Sequence, residues 1–224
     1  MRVEPGTVVV YTDVACGWST LALHRFYRER ERAHLTDAVR VDHRLFALED
    51  LNRVPTPKRV VDAEIPVLGA LEPGLGWSLW QRDPAQWPGT SLPANEAVHA
   101  AKLQSLRAAE ELDMAIRLAF FRDSRPVHLT CELCEIAAAC PHVDVDVLAE
   151  NLDEGTARAA MMRDYRTRGD RVQGSPHFFL ADGSDTPNPG IVLHWVGAPG
   201  VGFPVVDSDD PTAMADLVRR AAER

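Results

Sequence analysis

Val8-Val9-Val10-Tyr11-Thr12-Asp13-Val14-Ala15-Cys16-Gly17-Trp18-Ser19 is the stretch on which the fold turns. Its first four residues are apolar, three of them β-branched, which is the pattern of a short buried strand. From Trp18 the apolar positions Leu21, Ala22 and Phe26 recur at helical spacing, and the pattern runs out into the charged stretch Arg28 to Arg32. A strand therefore feeds a helix, with a cysteine at the junction. Val39 to Phe46 alternates Val39, Val41 and Leu45 with Arg40, Asp42 and Arg44, which predicts a second strand. The chain opens β-α-β.

At the junction, the unpaired N–H groups of a first helical turn and the helix dipole favour a thiolate, so a lowered pKa is expected for Cys16. Ser19 lies one turn on, and its hydroxyl is expected to donate to the sulfur. A small buried cysteine, inert through desolvation, is the competing reading.

Residues 53 to 93 change character, holding seven of the sixteen prolines and three of the five tryptophans, Trp77, Trp80 and Trp87. That density of proline predicts no long regular element here. The tryptophans are expected to pack over a neighbouring surface, either as a lid or wall or as a passive connector. Asn95 to Phe121 reads as one helix, Thr130 as the N-cap of a helix over Cys131 to Cys140 closed by Pro141, and Asp144 to Leu152 and Gly155 to Arg168 as two more. His177 to Leu180 and Ile191 to Trp195 are strand-like and are expected to pair as a hairpin with a long loop. Asp210-Pro211 starts a terminal helix that ends at Arg219-Arg220.

The element order is β-α-β, a helical block, then β-β-α, with no internal repeat. This predicts an α/β protein in which a helical insertion separates the two halves of a thioredoxin fold. Residues 1–52 and 170–224 would form the thioredoxin-fold domain, and residues 53–169 the Pro/Trp-rich segment plus the insertion. Ser175-Pro176 directly precedes the His177 strand, one of the few places where a strand tolerates proline. In that fold it is the position of a cis-proline facing the nucleophilic cysteine.

Composition narrows the function. The 224 residues are 46% hydrophobic and 25% charged, as in an ordinary globular protein of one large domain. With 24 Lys and Arg against 33 Asp and Glu, the net charge of −9 would repel a phosphate backbone, so no nucleic-acid partner is expected. Met1 to Gly6 has no apolar signal stretch and nowhere do eighteen apolar residues run together, so the expected location is cytoplasmic, with no membrane partner. Four cysteines, Cys16, Cys131, Cys134 and Cys140, are too few for a disulfide scaffold.

With Asp13 to Ser19 and the helix after it, Phe46 to Glu49, Ala119 to Phe121, Val172 to His177 and Asn188 to Trp195, the chain resembles the DsbA-like thioredoxin-fold proteins, particularly their cytoplasmic FrnE-like branch. The resemblance spans nearly the whole chain. It implies a thiol-disulfide oxidoreductase with Cys16 as nucleophile, Ser19 as thiolate stabiliser, and Trp18, Ser175, Pro176 and His177 along the substrate. One departure matters. The family motif is usually Cys-Pro-Trp-Cys, whereas this chain reads Cys16-Gly17-Trp18-Ser19, so a mixed disulfide must be resolved by another thiol, which suits a monothiol transferase. No tightly bound cofactor is expected beyond a low-molecular-weight thiol as co-substrate; the partner would be a disulfide-containing protein or small thiol, and a homodimer is left open. Two rival readings are an enzyme like the kappa-class glutathione transferases and hydroxychromene-carboxylate isomerases, which binds a thiol cofactor, and a redox-inactive binding module.

Cys131-Glu132-Leu133-Cys134 is open to three readings: core packing, a second redox pair, or zinc together with Cys140 and His142. The spacing of that zinc set is too tight for a usual structural site, and no metal is expected. His177 is a candidate for contact with substrate or sulfur, although strand alternation could turn it away, and His194 reads as a satisfied sheet histidine. Asp13, Glu49 and Asp50 read as surface or loop charges.

Overall fold

Strand β1 (Thr7–Thr12) is buried along almost its whole length, as the Val8 to Tyr11 run requires, and leads into helix α1 (Gly17–Arg32). Strand β2 (Arg40–Leu45) returns parallel to β1, with Val8 beside Val41 and Val10 beside His43. Parallel neighbours need a crossover, and α1 provides it. The computed structural model describes residues 2–223.

After a short helix α2 (Leu48–Asn52), the proline-rich region departs from expectation: Lys58–Leu71 is a regular helix, α3, with Pro66 inside it. Val61, Ile65 and Leu68 recur at helical spacing and bury one face, while Pro66 lies on the exposed side. A carbonyl that loses its donor to proline there still meets water, so the helix continues. The neighbouring prolines flank α3 and do not abolish it. Past α3 the three tryptophans form an aromatic wall: Trp77 lies 5.3 Å from the Phe121 ring, and Trp80 and Trp87 pack on each other and on Phe120 at 5.1–5.9 Å.

Helices α4 (Leu92–Gln104) and α5 (Leu106–Phe121) replace the single expected helix. Ser105 breaks it with extended backbone, and its Oγ accepts the Ala108 N–H at 3.0 Å as an N-cap. Helix α6 (Thr130–Ala137) is capped at Leu129, one residue before the expected Thr130, and stops short of Cys140. Helices α7 (Val145–Glu154), capped by Asp144, and α8 (Thr156–Arg166) complete the insertion. None of the described helices is long and apolar enough to cross a membrane.

The second half completes the sheet. Strand β3 (His177–Phe179) runs antiparallel to β1, placing His177 beside Tyr11, and β4 (Asp185–Pro187) runs antiparallel to β3, giving the order β2-β1-β3-β4. The expected pairing of 177–180 with 191–195 does not occur. The hairpin closes instead at Asp182-Gly183, with Gly183 at φ +85° and the Leu180 N–H bonded to the Ser184 carbonyl, the tight turn that an Asp-Gly pair favours. Strand β5 (Ile191–Val196) pairs with β6 (Phe203–Asp209) in a separate ribbon. Gly202 is required there, since a side chain would collide with the Val196 carbonyl. Helix α9 (Ala213–Ala222) packs Met214, Leu217 and Val218 against Val8, Val10, Phe26 and Phe178. The result is a thioredoxin fold with a helical insertion, and the end of β1, the start of α1 and the approach to β3 meet at one point.

Candidate active site

Cys16 is the N-cap of α1. Its backbone is extended, so the side chain folds back over the first turn, where its sulfur accepts the Ser19 N–H at 3.4 Å. The thiol donates to the Ser175 carbonyl at 3.3 Å, and the Ser175–Pro176 peptide is cis. Residues 159 positions apart in sequence thus meet at one sulfur. Ser175 Oγ accepts the Asp13 N–H at 2.9 Å and lies 2.7 Å from Ser19 Oγ. Cys16, Trp18, Ser19 and Ser175 are brought together, with Pro176 buried directly behind Ser175. Cys16 is buried, 7% exposed as a residue.

The expected lowering of the Cys16 pKa is overturned. Burial pushes the thiol pKa up and the Glu64 carboxylate pushes the same way, outweighing the Ser19 hydroxyl, the Ser175 side chain and the Ser19 N–H, which favour the thiolate. A first-turn position supplies dipoles, but desolvation of a charge costs more when little water reaches it. The Ser19 hydroxyl also does more than donate to sulfur, because its shortest partner is Ser175 Oγ.

Beneath the motif lies a buried polar frame. Asp13, expected as a surface or loop charge, lies in the β1–α1 loop but is fully buried, and accepts the Ala15 and Leu48 N–H groups, the Ser91 hydroxyl and the Asn95 amide at 3.0–3.1 Å. Burial raises its pKa against those four hydrogen bonds. Arg117 of α5, also fully buried, donates Nε to Asp113 at 2.8 Å and its other nitrogens to the Asp13 carbonyl, Thr12 Oγ1 and Thr20 Oγ1 at 3.0–3.2 Å. The insertion therefore grips the loop that carries Cys16 from below. An Asp and an Arg four apart look in sequence like an exposed helical ion pair, so nothing in the spacing marks this one as central.

Glu64 of α3 was also missed. Its Oε1 accepts the Trp18 indole N–H at 2.9 Å, and burial raises its pKa to about 7. Glu49 and Asp50, expected as surface or loop charges, stand on α2 and take partners: Glu49 accepts the Thr90 hydroxyl and the Ser91 N–H at 2.8 Å, and Asp50 accepts the Tyr165 hydroxyl at 2.7 Å.

His177 is fully buried, with Nδ1 accepting the Gln173 N–H at 3.2 Å and Nε2 2.9 Å from Asp185 Oδ1. Both ring nitrogens are spent on the β3–β4 hairpin and its approach, and burial lowers the pKa. His194 sits in the outer ribbon, 2.9 Å from Asp207. All four cysteines are free, Cys131 exposed, Cys134 half-buried and Cys140 buried with its pKa pushed up to about 11. Core packing describes Cys140 but not Cys131. Among the described residues no three His, Cys, Asp or Glu side chains converge as metal ligands, so Cys131, Cys134, Cys140 and His142 form no such set.

A family model described as DSBA-like thioredoxin domain matches residues 7–203. No curated protein matches the sequence. Among solved structures, the cytosolic disulfide reductase DsbM from Pseudomonas aeruginosa superposes with a TM-score of 0.60 at 17% identity, covering 95% of each chain. The same protein with GSH gives 0.59 at 19% identity over 79% of this chain and 86% of that one. A structure titled "probable DsbA oxidoreductase" from Streptomyces coelicolor gives 0.64 at 21% identity, covering 97% of this chain and 91% of the other. At these identities the superpositions speak for the fold.

Proposed function

The chain belongs to the DSBA-like thioredoxin domain family, and on that premise we propose that it is a cytoplasmic, FrnE-like thiol-disulfide oxidoreductase that works through Cys16 alone. The observation that carries this reading is the Cys16 sulfur held between the Ser19 N–H and the carbonyl of Ser175, with a hydroxyl where a second sulfur would stand.

In the first step the Cys16 thiolate attacks one sulfur of a substrate disulfide. A Cys16–sulfur bond forms, the substrate S–S bond breaks, and the departing sulfur takes up the proton that Cys16 gave up. An external thiol then attacks the mixed disulfide, and Cys16 leaves as the thiol while the external thiol and the substrate share the new disulfide. Once the Cys16 proton is gone, the Ser175 carbonyl is free to accept a substrate N–H, and Trp18 and Pro176 provide apolar contact. His177 acts at one remove, tying the strand behind Pro176 to Asp185. The raised thiol pKa makes the Cys16 thiolate a stronger nucleophile but a scarcer one, and a poorer leaving group in the resolving step.

Oxidised glutathione tests this in a Cys131→Ser, Cys134→Ser background, which removes the two more accessible thiols. One glutathione per chain is expected at Cys16 by peptide mapping, released by reduced glutathione and absent after Cys16→Ser. A chain that takes up no glutathione at Cys16, or holds it against the chase, is not this enzyme.

A further inference from the structure

Helix α3 packs on α1 through Leu68, which lies in one cluster with Cys16, Trp18, Leu21 and Ile191. Glu64 stands one turn before Leu68 and is carried to the start of α1. Its Oε1 holds the Trp18 indole, and its Oε2 is 3.7 Å from where a Cβ on Gly17 would be. The carboxylate is therefore flush against the two residues that follow Cys16. It is also the charged group that bears on the Cys16 thiol.

The surrounding charges are engaged elsewhere. On α1, His24, Arg25 and Arg28 turn to Glu72, and Arg25 also to Asp209 of β6. On α3, Lys58 pairs with Asp62, and Arg59 lies against Gly200. Asp207 of β6 takes His194. Among the described residues Glu64 has no cationic partner within salt-bridge distance.

We propose that Glu64 is the proton acceptor for the resolving step: with Cys16 in a mixed disulfide, its carboxylate takes the proton of the incoming external thiol and hands it to the Cys16 sulfur as that sulfur leaves. This rests on the reading of Cys16 above. The external thiolate forms a disulfide with the substrate sulfur, the Cys16–substrate bond breaks, and Glu64 ends ionised as it began, so thiol plus mixed disulfide becomes disulfide plus Cys16 thiol. The site needs such a group, because an ordinary thiol with a pKa of about 8.5 is mostly protonated at neutral pH and no second cysteine stands ready in the motif. A carboxyl whose pKa is raised to about 7 is matched to that task. In the free enzyme the Glu64 carboxylate pushes the Cys16 thiol pKa up, an effect that has nothing to act on once Cys16 is in a mixed disulfide.

The test uses the purified Cys16–glutathione adduct in the full chain, with single-turnover release by reduced glutathione followed from pH 5.5 to 9. The unmodified sequence should show an inflection near pH 7 in addition to that of glutathione. Glu64→Gln should lose that inflection and slow release at pH 7 by at least about tenfold, while Glu64→Asp keeps the inflection. The same Glu64→Gln change should move alkylation of free Cys16 to lower pH, since a neighbouring negative charge is gone, which a purely structural role would not do. If the adduct forms but Glu64→Gln releases glutathione with an unchanged pH profile, this inference is overturned and the Cys16 reading survives. If no adduct forms at Cys16, both fall.

Discussion

Replacing Ser19 by cysteine will shorten the life of a Cys16 mixed disulfide by about 10³-fold or more relative to the parent chain exposed to millimolar external thiol. The Ser19 N–H already bonds the Cys16 sulfur at 3.4 Å, and the two residues lie three apart where the chain enters α1. At helical rise and radius that spacing puts their Cα atoms about 5 Å apart, inside the range a disulfide spans. An intramolecular sulfur attacks with an effective molarity that can reach about 10⁵ M, whereas a cytosolic thiol attacks at millimolar concentration. The substitution gives up the hydroxyl contact with Ser175 Oγ, a loss of about 1 kcal/mol that does not compete with this gain. Mass spectrometry of the glutathione adduct over time is the measurement. An adduct that lasts as long in Ser19→Cys as in the parent would mean that the two side chains do not face each other, and the monothiol reading of the motif would lose its basis.

Arg117→Met is the second large effect, expected to lower stability by about 3–5 kcal/mol, because it strands the buried Asp113 carboxylate and takes one donor from each of three oxygens beneath the motif. For a chain of this size the melting temperature should fall by about 6–20 °C. Lysine should not restore it, since one ammonium cannot reproduce a planar fork that reaches Asp113, Thr12, Thr20 and the Asp13 carbonyl together. Adding Asp113→Asn to Arg117→Met should recover part of the loss by removing the stranded charge. Calorimetry decides the point: a change below about 1 kcal/mol would show that the insertion does not brace the loop.

The legible parts of this protein are the ones with local signals. Three valines and a tyrosine mark β1 whatever surrounds them, the Cys16 junction is set by the strand before it and the helix after it, and Ser175-Pro176 announces itself by preceding an aromatic strand. Pairing was harder. Asp185-Thr186-Pro187 carries turn-forming residues over only three positions, and nothing in it says that β3 will choose it over the more apolar Ile191 to Trp195. Pro66 shows the opposite failure: a local breaker is overridden because the buried stripe of α3 lies on the other face. The charges of the site escape a sequence reading for a related reason. Asp13 follows a strand and Glu64 and Arg117 stand on helices, places where a charge ordinarily finds solvent, and only tertiary packing removes the water. The same packing reverses the expected shift of the Cys16 pKa, since a helix start can be read from sequence while the cover over it cannot.

That cover has a consequence during biosynthesis. Cys16 leaves the ribosome long before Ser175, and until the C-terminal portion of the nascent chain is made its thiol has neither the carbonyl it donates to nor the burial that raises its pKa. For that interval it is an ordinary solvated thiol, open to stray oxidants and with no second sulfur in its motif to close a protective bond. Stalled or truncated chains will therefore carry Cys16 modified more readily than the finished protein does.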